Sequence, residues 1–225
     1  ERHIAKSLNF KIAYGGSAHT LKDDFGCTIE EAQAFIDAYM GAFPQLKKYF
    51  DTVESNVLKR GWIQIDQVIE RRWFSPEFPQ LKELQDQAWA CYPKGYKEMP
   101  RGEKKDKIKE QVKEQHPELK QIWSKFFTLK GELSRCARNY PIQGVAGNQT
   151  KQAGVYFRKY QIENNLQDKV YLTNLIHDEA MAEAVNGFEN EATELLLKCM
   201  EKGGGRFTKS VKMTAAGGET KWWGH

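Results

Sequence analysis

Arg2-His3-Ile4-Ala5-Lys6-Ser7-Leu8-Asn9-Phe10-Lys11-Ile12-Ala13-Tyr14-Gly15-Gly16 is the stretch on which the fold of this chain turns. Read as a helix at ~100° per residue, it places Arg2, Lys6, Phe10 and Tyr14 on one side. Ile4, Leu8 and Ile12 make a second stripe, positioned to pack on a core. Aliphatics anchor one side, and the other offers two cations followed by an aromatic face. An ordinary basic surface helix accounts for any one of these residues. Their order suits a ligand with a polyphosphate at one end and a sugar and flat base at the other.

The R-x3-K-x7-Y-G spacing, with Asn9-Phe10 inside it, resembles motif B of the family A DNA polymerases, the DNA polymerase I group. Single-subunit RNA polymerases of the phage and mitochondrial type have a related K-x7-Y-G helix, so this motif alone leaves both open. Leu175-Ile176-His177-Asp178-Glu179-Ala180 separates them. It resembles motif C of the DNA enzymes, whose His-Asp-Glu lies at the turn between two palm strands, where the RNA enzymes usually carry His-Asp-Ser. The flanking Val170–Ile176 and Ala180–Val185 read as two short apolar strands around a polar corner. Adjacent carboxylates on extended chain point to opposite faces. Only one of Asp178 and Glu179 is therefore expected to ligate a given metal easily, and the resemblance implies that it is Asp178, with Glu179 secondary.

Between these segments, Arg135-Cys136-Ala137-Arg138-Asn139-Tyr140-Pro141-Ile142-Gln143-Gly144 resembles the family's R-x3-N-x-P-x-Q-G segment on the long palm helix. Arg135, Asn139 and Gln143 are four apart and share a face. Arg suits phosphate or a base edge, and the two amides carry both donor and acceptor, as minor-groove contacts require. Pro141 lacks a backbone N–H and is expected to kink the helix near Asn139. Where the family commonly continues Thr-Ala-Ala-Asp, this chain has Val145-Ala146-Gly147-Asn148, which loses a carboxylate.

Working outward, Thr28 with Glu31 forms a capping box that opens a helix through Ala32, Phe35, Ile36 and Tyr39. A second helical pattern, Leu46 to Val57, stops at Gly61. These two are expected to pack behind the first helix as the fingers. Trp62–Ile65 and Val68-Ile69 suggest a short hairpin, followed by Arg71-Arg72-Trp73-Phe74-Ser75-Pro76, which resembles the family's hairpin ending in Arg-Arg and Pro. Residues 77–130 exceed what the family places here and read as a charged insertion, with a polar helix over Lys104–Gln115. Phe188, Ala192, Leu195, Leu196 and Cys199 give a helical stripe expected to end at Gly203-Gly204-Gly205, and Val211–Thr214 a final strand. Trp222-Trp223-Gly224-His225 resembles the family's C-terminal Trp and His. The expected architecture is α+β: fingers over 1–76, the insertion over 77–130, and the C-terminal part of a palm with a small antiparallel sheet over 131–225.

Composition sets outer bounds. The net charge of +4 is mildly basic, but 94–130 holds 11 Lys and Arg against 6 Asp and Glu, leaving the remainder near neutral. Such a run is a solvated helix or a mobile loop, or else a nucleic-acid or partner contact. No apolar run approaches the ~20 residues of a membrane span, and nothing at the start reads as a signal peptide, so a cytoplasmic setting, in a bacterial or phage-infected cell, is expected. Cys27, Cys91, Cys136 and Cys199 contain no C-x-x-C pair that would suggest structural zinc, and free thiols in a reducing compartment are expected.

The resemblance implies template-directed transfer of a deoxynucleotide from a dNTP to a primer 3′ hydroxyl, with two Mg2+ ions ~3.5–4 Å apart. It implies Arg2 and Lys6 on the triphosphate, Lys6 also as general acid, and Phe10 on the sugar with discrimination against dideoxynucleotides. It further implies Tyr14 at the nascent pair, Arg135, Asn139 and Gln143 on primer and template, His177 at the primer terminus, and Asp178 on the metals. The family's second metal carboxylate lies in motif A, an Asp-Tyr-Ser-like strand upstream of motif B. No substitute is found here: Asp23-Asp24, Asp66, Asp106 and Asp168 lack that context. The chain is thus expected to act with an N-terminal segment or separate subunit carrying motif A, as a fragment, a proteolytic product or one piece of a split polymerase. The partners expected are primer-template DNA and dNTPs. Two other readings are weighed: a non-catalytic nucleic-acid-binding accessory protein, which would need neither Lys6 nor Asp178, and a remnant of a single-subunit RNA polymerase, which Glu179 disfavours.

Overall fold

The computed structural model describes residues 2–220, with side chains over 6–220. Arg2 is therefore described through its backbone alone, and the terminal Trp222-Trp223-Gly224-His225 lies outside the described residues. Eight helices and two small two-stranded sheets make up the described part, an α+β architecture. It divides into two compact units, residues 1–63 with 72–140, and residues 64–71 with 141–225. No helix among the described residues is long and apolar enough to cross a membrane.

In the first unit, α1 (Arg2–Ala13) packs Leu8 and Ile12 on α2 (Ala18–Phe25) and α3 (Ile29–Ala42), whose Leu21, Ala32 and Ile36 complete that core. The sequence reading passed over α2. Its signals are short-range ones: Ser17 caps the start by accepting from the Thr20 N–H, and Gly26 closes the end at φ 66°. The Thr28–Glu31 capping box opens α3 as expected. α4 (Pro44–Arg60) ends at Gly61, φ 76°, but it does not share the α1 core. Its Val53 and Val57 pack with Ile63 of β1 (Trp62–Gln64), Leu81 of α5 (Phe78–Ala90), and Phe126, Leu133 and Ala137 of α7 (Leu119–Glu163). A third, small core joins Ala88 of α5, Val112 of α6 (Glu103–Gln115) and Leu119 of α7.

β1 pairs with β2 (Arg72–Phe74), not with Val68-Ile69. The reason is local. The Asp66 carboxylate accepts from the N–H groups of Val68 and Ile69 at 3.0 and 2.7 Å, which bends the chain and removes both donors from any ladder.

The second unit centres on Phe157 of α7, Val170 of β3 (Val170–Ile176), and Ala192, Leu195 and Cys199 of α8 (Glu189–Phe207). β3 and β4 (Glu179–Ala184) form an antiparallel hairpin from Val170↔Ala184 to Ile176↔Glu179, with an irregularity at Thr173. α8 does not stop at the glycines but runs through them. A Cβ on Gly203 would lie 2.7 Å from the Ala153 backbone N and the Gln149 O. Glycine there permits close approach of α8 to α7, so it serves packing instead of termination. Val211–Thr214 forms no strand; Met213 packs on Gly204, where a Cβ would meet it at 2.8 Å. All four cysteines are free.

Candidate active site

The face expected to hold a nucleotide lies on α1. Lys6 Nζ stands 5.8 Å from the Phe10 ring centroid, and Phe10 stacks on Tyr14 with centroids 5.7 Å apart at 28°. Phe10 is 45% exposed. Tyr14 falls just past the helix, yet its N–H still donates to Phe10 O at 2.9 Å, which keeps it in helical register. Lys6 is exposed and has no acidic partner among the described residues. Lys11, by contrast, is ion-paired with Asp24 and lies over the Phe25 ring. The helix thus offers one uncompensated ammonium beside an open aromatic stack.

Past Tyr14 the chain turns at Gly15, φ 83°, and the Gly16 N–H returns to Lys11 O at 2.7 Å. A Cβ at Gly15 would meet Arg135 Cγ at 3.3 Å, so the turn seats directly on α7. Two of the expected site segments, Tyr14-Gly15 and Arg135, are brought together in this way. Arg135 is exposed, while its neighbour Arg138 is tied to Glu54 and covers the Phe50 ring at 5.2 Å. One helical turn on, Asn139 Oδ1 is buried without a hydrogen-bond partner among the described residues. α7 continues unbroken through Pro141, and Gln143 beyond it is exposed.

In the second unit the expected metal carboxylate sits at a hairpin tip. Because Ile176 pairs with Glu179, the turn is the two residues His177 and Asp178. His177 takes φ 51°, a left-handed conformation that costs a non-glycine residue ~1–2 kcal/mol. The Thr150 hydroxyl of α7 donates to His177 O at 2.9 Å and holds the turn. Asp178 and Glu179 are exposed, and neither carboxylate has a protein partner among the described residues. As hard oxygen donors they fit Mg2+, which takes one or two carboxylates and completes its shell with water and phosphate.

Sequence reasoning missed one polar cluster built on a buried pair. Asp66 Oδ2 accepts from Asn148 Nδ2 at 2.7 Å, and Asn148 Oδ1 accepts from Arg71 at 2.8 Å. Asp66 and Asn148 are both buried. A carboxylate thus stands beside Asn148, contributed by Asp66, 82 positions away in sequence. The polar Asp66-Gln67 break between Ile65 and Val68 was the available signal, and it could not name the partner.

Comparison with known proteins decides the family. The sequence model of DNA polymerase family A matches residues 1–225. The chain belongs to DNA polymerase family A. Among family A relatives, DNA polymerase I of Streptococcus pneumoniae serotype 4 is 27% identical over 202 residues, 90% of this chain and 18% of that protein. DNA polymerase I of Geobacillus stearothermophilus is 25% identical over 201 residues, 89% of this chain and 18% of the relative. The thermostable DNA polymerase I of Thermus aquaticus is 34% identical over 76 residues, 34% of this chain and 9% of that enzyme. The chain therefore spans under a fifth of the length of these relatives. A solved structure, the POL domain of Pol1 from M. smegmatis in complex with DNA primer-template and dNTP, shares the fold at TM-score 0.60. It is 20% identical, and the match covers 90% of this chain and 27% of that one.

Proposed function

We propose that this chain supplies the dNTP-binding and motif C part of a template-directed DNA polymerase, with residues 1–76 as fingers, 77–130 as an insertion and 131–225 as palm. The α1 face carries the reading: Lys6, without an acidic partner among the described residues, beside the Phe10–Tyr14 stack matches a triphosphate followed by a sugar and base. Lys6, with Arg2, binds the triphosphate, and Lys6 donates a proton to the departing pyrophosphate. Phe10 packs on the deoxyribose and Tyr14 on the nascent pair. Arg135, Asn139 and Gln143 contact primer and template; the orphaned Asn139 Oδ1 supports this, because a buried acceptor gains most from a donor that arrives with a ligand. His177 borders the primer terminus.

Asp178 would hold Mg2+, with Glu179 as its secondary neighbour. When bound, two such ions activate the primer hydroxyl and neutralise the triphosphate. Holding them would take a second carboxylate, and we assign it to a motif A segment that these 225 residues do not hold. Two features support such a segment. The outer edge of β3 pairs with nothing among the described residues, and Leu172 and Leu175 line an open apolar groove with Val155 and Ile162 of α7.

The test is nucleotide affinity for this chain on primer-template DNA, with a dNTP and the matching NTP in parallel. Binding of the dNTP weakened about tenfold or more by Lys6→Ala supports the reading. Equal affinity in wild type and Lys6→Ala overturns it.

A further inference from the structure

We propose that Cys91, His116 and Glu118 form a binding site for a borderline divalent transition metal, zinc foremost, within the charged segment between β2 and α7. The three come from two places in the chain. Cys91 follows the last residue of α5, and His116 and Glu118 flank Pro117 in the link from α6 to α7. One ligand atom from each lies within 4.8 Å of the other two. His116 Nδ1 and Glu118 Oε1 are already 3.0 Å apart.

Donors around a tetrahedral zinc stand roughly 3.5 Å from each other, given bonds of about 2.3 Å to sulfur and 2.0–2.2 Å to nitrogen and oxygen. Closing the trio onto an ion thus takes about an ångström of side-chain adjustment. The backbone around it is set: the His116 N–H donates to Val112 O at 2.9 Å, and the Leu119 N–H to His116 O at 3.0 Å.

Donor chemistry selects the ion. A thiolate, an imidazole and a carboxylate together suit zinc and its neighbours and are wrong for Mg2+, which demands oxygen. One thiolate and one carboxylate also balance the charge of a dication. Three protein ligands leave a fourth position for water or an incoming group. The location gives the ion work to do. The core beneath consists of Ala88, Val112 and Leu119, and Val112 is the one residue α6 buries. A metal here joins the C-terminal ends of α5 and α6 to the start of α7, stapling a helix that hydrophobic burial holds weakly.

The experiment is titration of the intact chain with Co2+, which reports thiolate ligation by a charge-transfer band and tetrahedral geometry by visible d–d bands. One equivalent should give both, and Zn2+ should displace it. Cys91→Ser should abolish the charge-transfer band and weaken binding about a hundredfold or more, with Cys136→Ser unchanged. Circular dichroism checks each variant's fold. His116→Gln, read by loss of the thermal shift that Zn2+ gives the wild type, serves if Cys91→Ser does not fold. Absence of a stoichiometric Co2+ band in the wild type, or its persistence in Cys91→Ser, overturns the site.

Discussion

Lys6 and Lys11 stand five residues apart on one helix and have opposite surroundings, one without a carboxylate among the described residues and the other locked to Asp24. The chemistry assigned to each follows. In a polymerising assembly, Lys6→Ala should lower kcat about 10²–10³-fold, while Lys11→Ala should leave kcat alone and cost no more than ~1 kcal/mol in urea unfolding. Phe10→Tyr should erase the discrimination against dideoxynucleotides, measured as the ratio of kcat/KM for dNTP and ddNTP. The buried Asp66–Asn148 pair, with Arg71 donating from the exposed side, makes a further residue-scale prediction. Asn148→Asp places a carboxylate against Asp66 and should destabilise the chain, whereas adding Asp66→Asn restores a donor between the two and should recover most of the loss. A coupling of about 1–3 kcal/mol in the double-mutant cycle is expected; additivity would show that the pair does not interact as described. The common face of Lys6, Phe10 and Tyr14 was legible because helical spacing alone places them. Asp66 was not, because its partner is 82 residues away and no local pattern encodes that distance.

At the scale of elements, short-range chemistry decided what could be read. α3 and α4 were legible because Thr28, Glu31 and Gly61 punctuate them, and the β3–β4 hairpin because two apolar runs flank a polar corner. α8 was misjudged because a run of glycines ordinarily ends a helix, and here close packing on α7 overrides that preference. Gly203→Ala should therefore cost about 1–3 kcal/mol. Gly205→Ala, with open space around its Cβ, should instead stabilise by roughly 0.5–1 kcal/mol. Chemical denaturation of the two variants reads the contrast. The capping box also has a pH signature. The Thr28 backbone N–H, and after it the Thr28 hydroxyl, hold the Glu31 carboxyl below the ordinary range. A depressed folded pKa gives stability that is complete above the unfolded value of about 4.3 and drains away as pH falls through the folded value. The stability gap between wild type and Glu31→Gln should therefore shrink on acidification below that point, and a gap constant with pH would remove the carboxylate's part in the cap.

For the molecule as a whole, the assignment to family A rests on the entire chain, while the proposed catalytic reading rests on individual groups, Lys6 and Asp178 foremost. In the proposed reading Asp178 is one carboxylate in a chemistry that needs two. Primer extension with Mg2+ and four dNTPs tests this most directly, run on the chain alone, on the chain with a polypeptide carrying a family A motif A strand, and on both with Asp178→Asn. The account predicts no extension by the chain alone, extension in the supplemented mixture, and its loss in Asp178→Asn. Extension by the unsupplemented chain, or supplemented extension indifferent to Asp178→Asn, would contradict it.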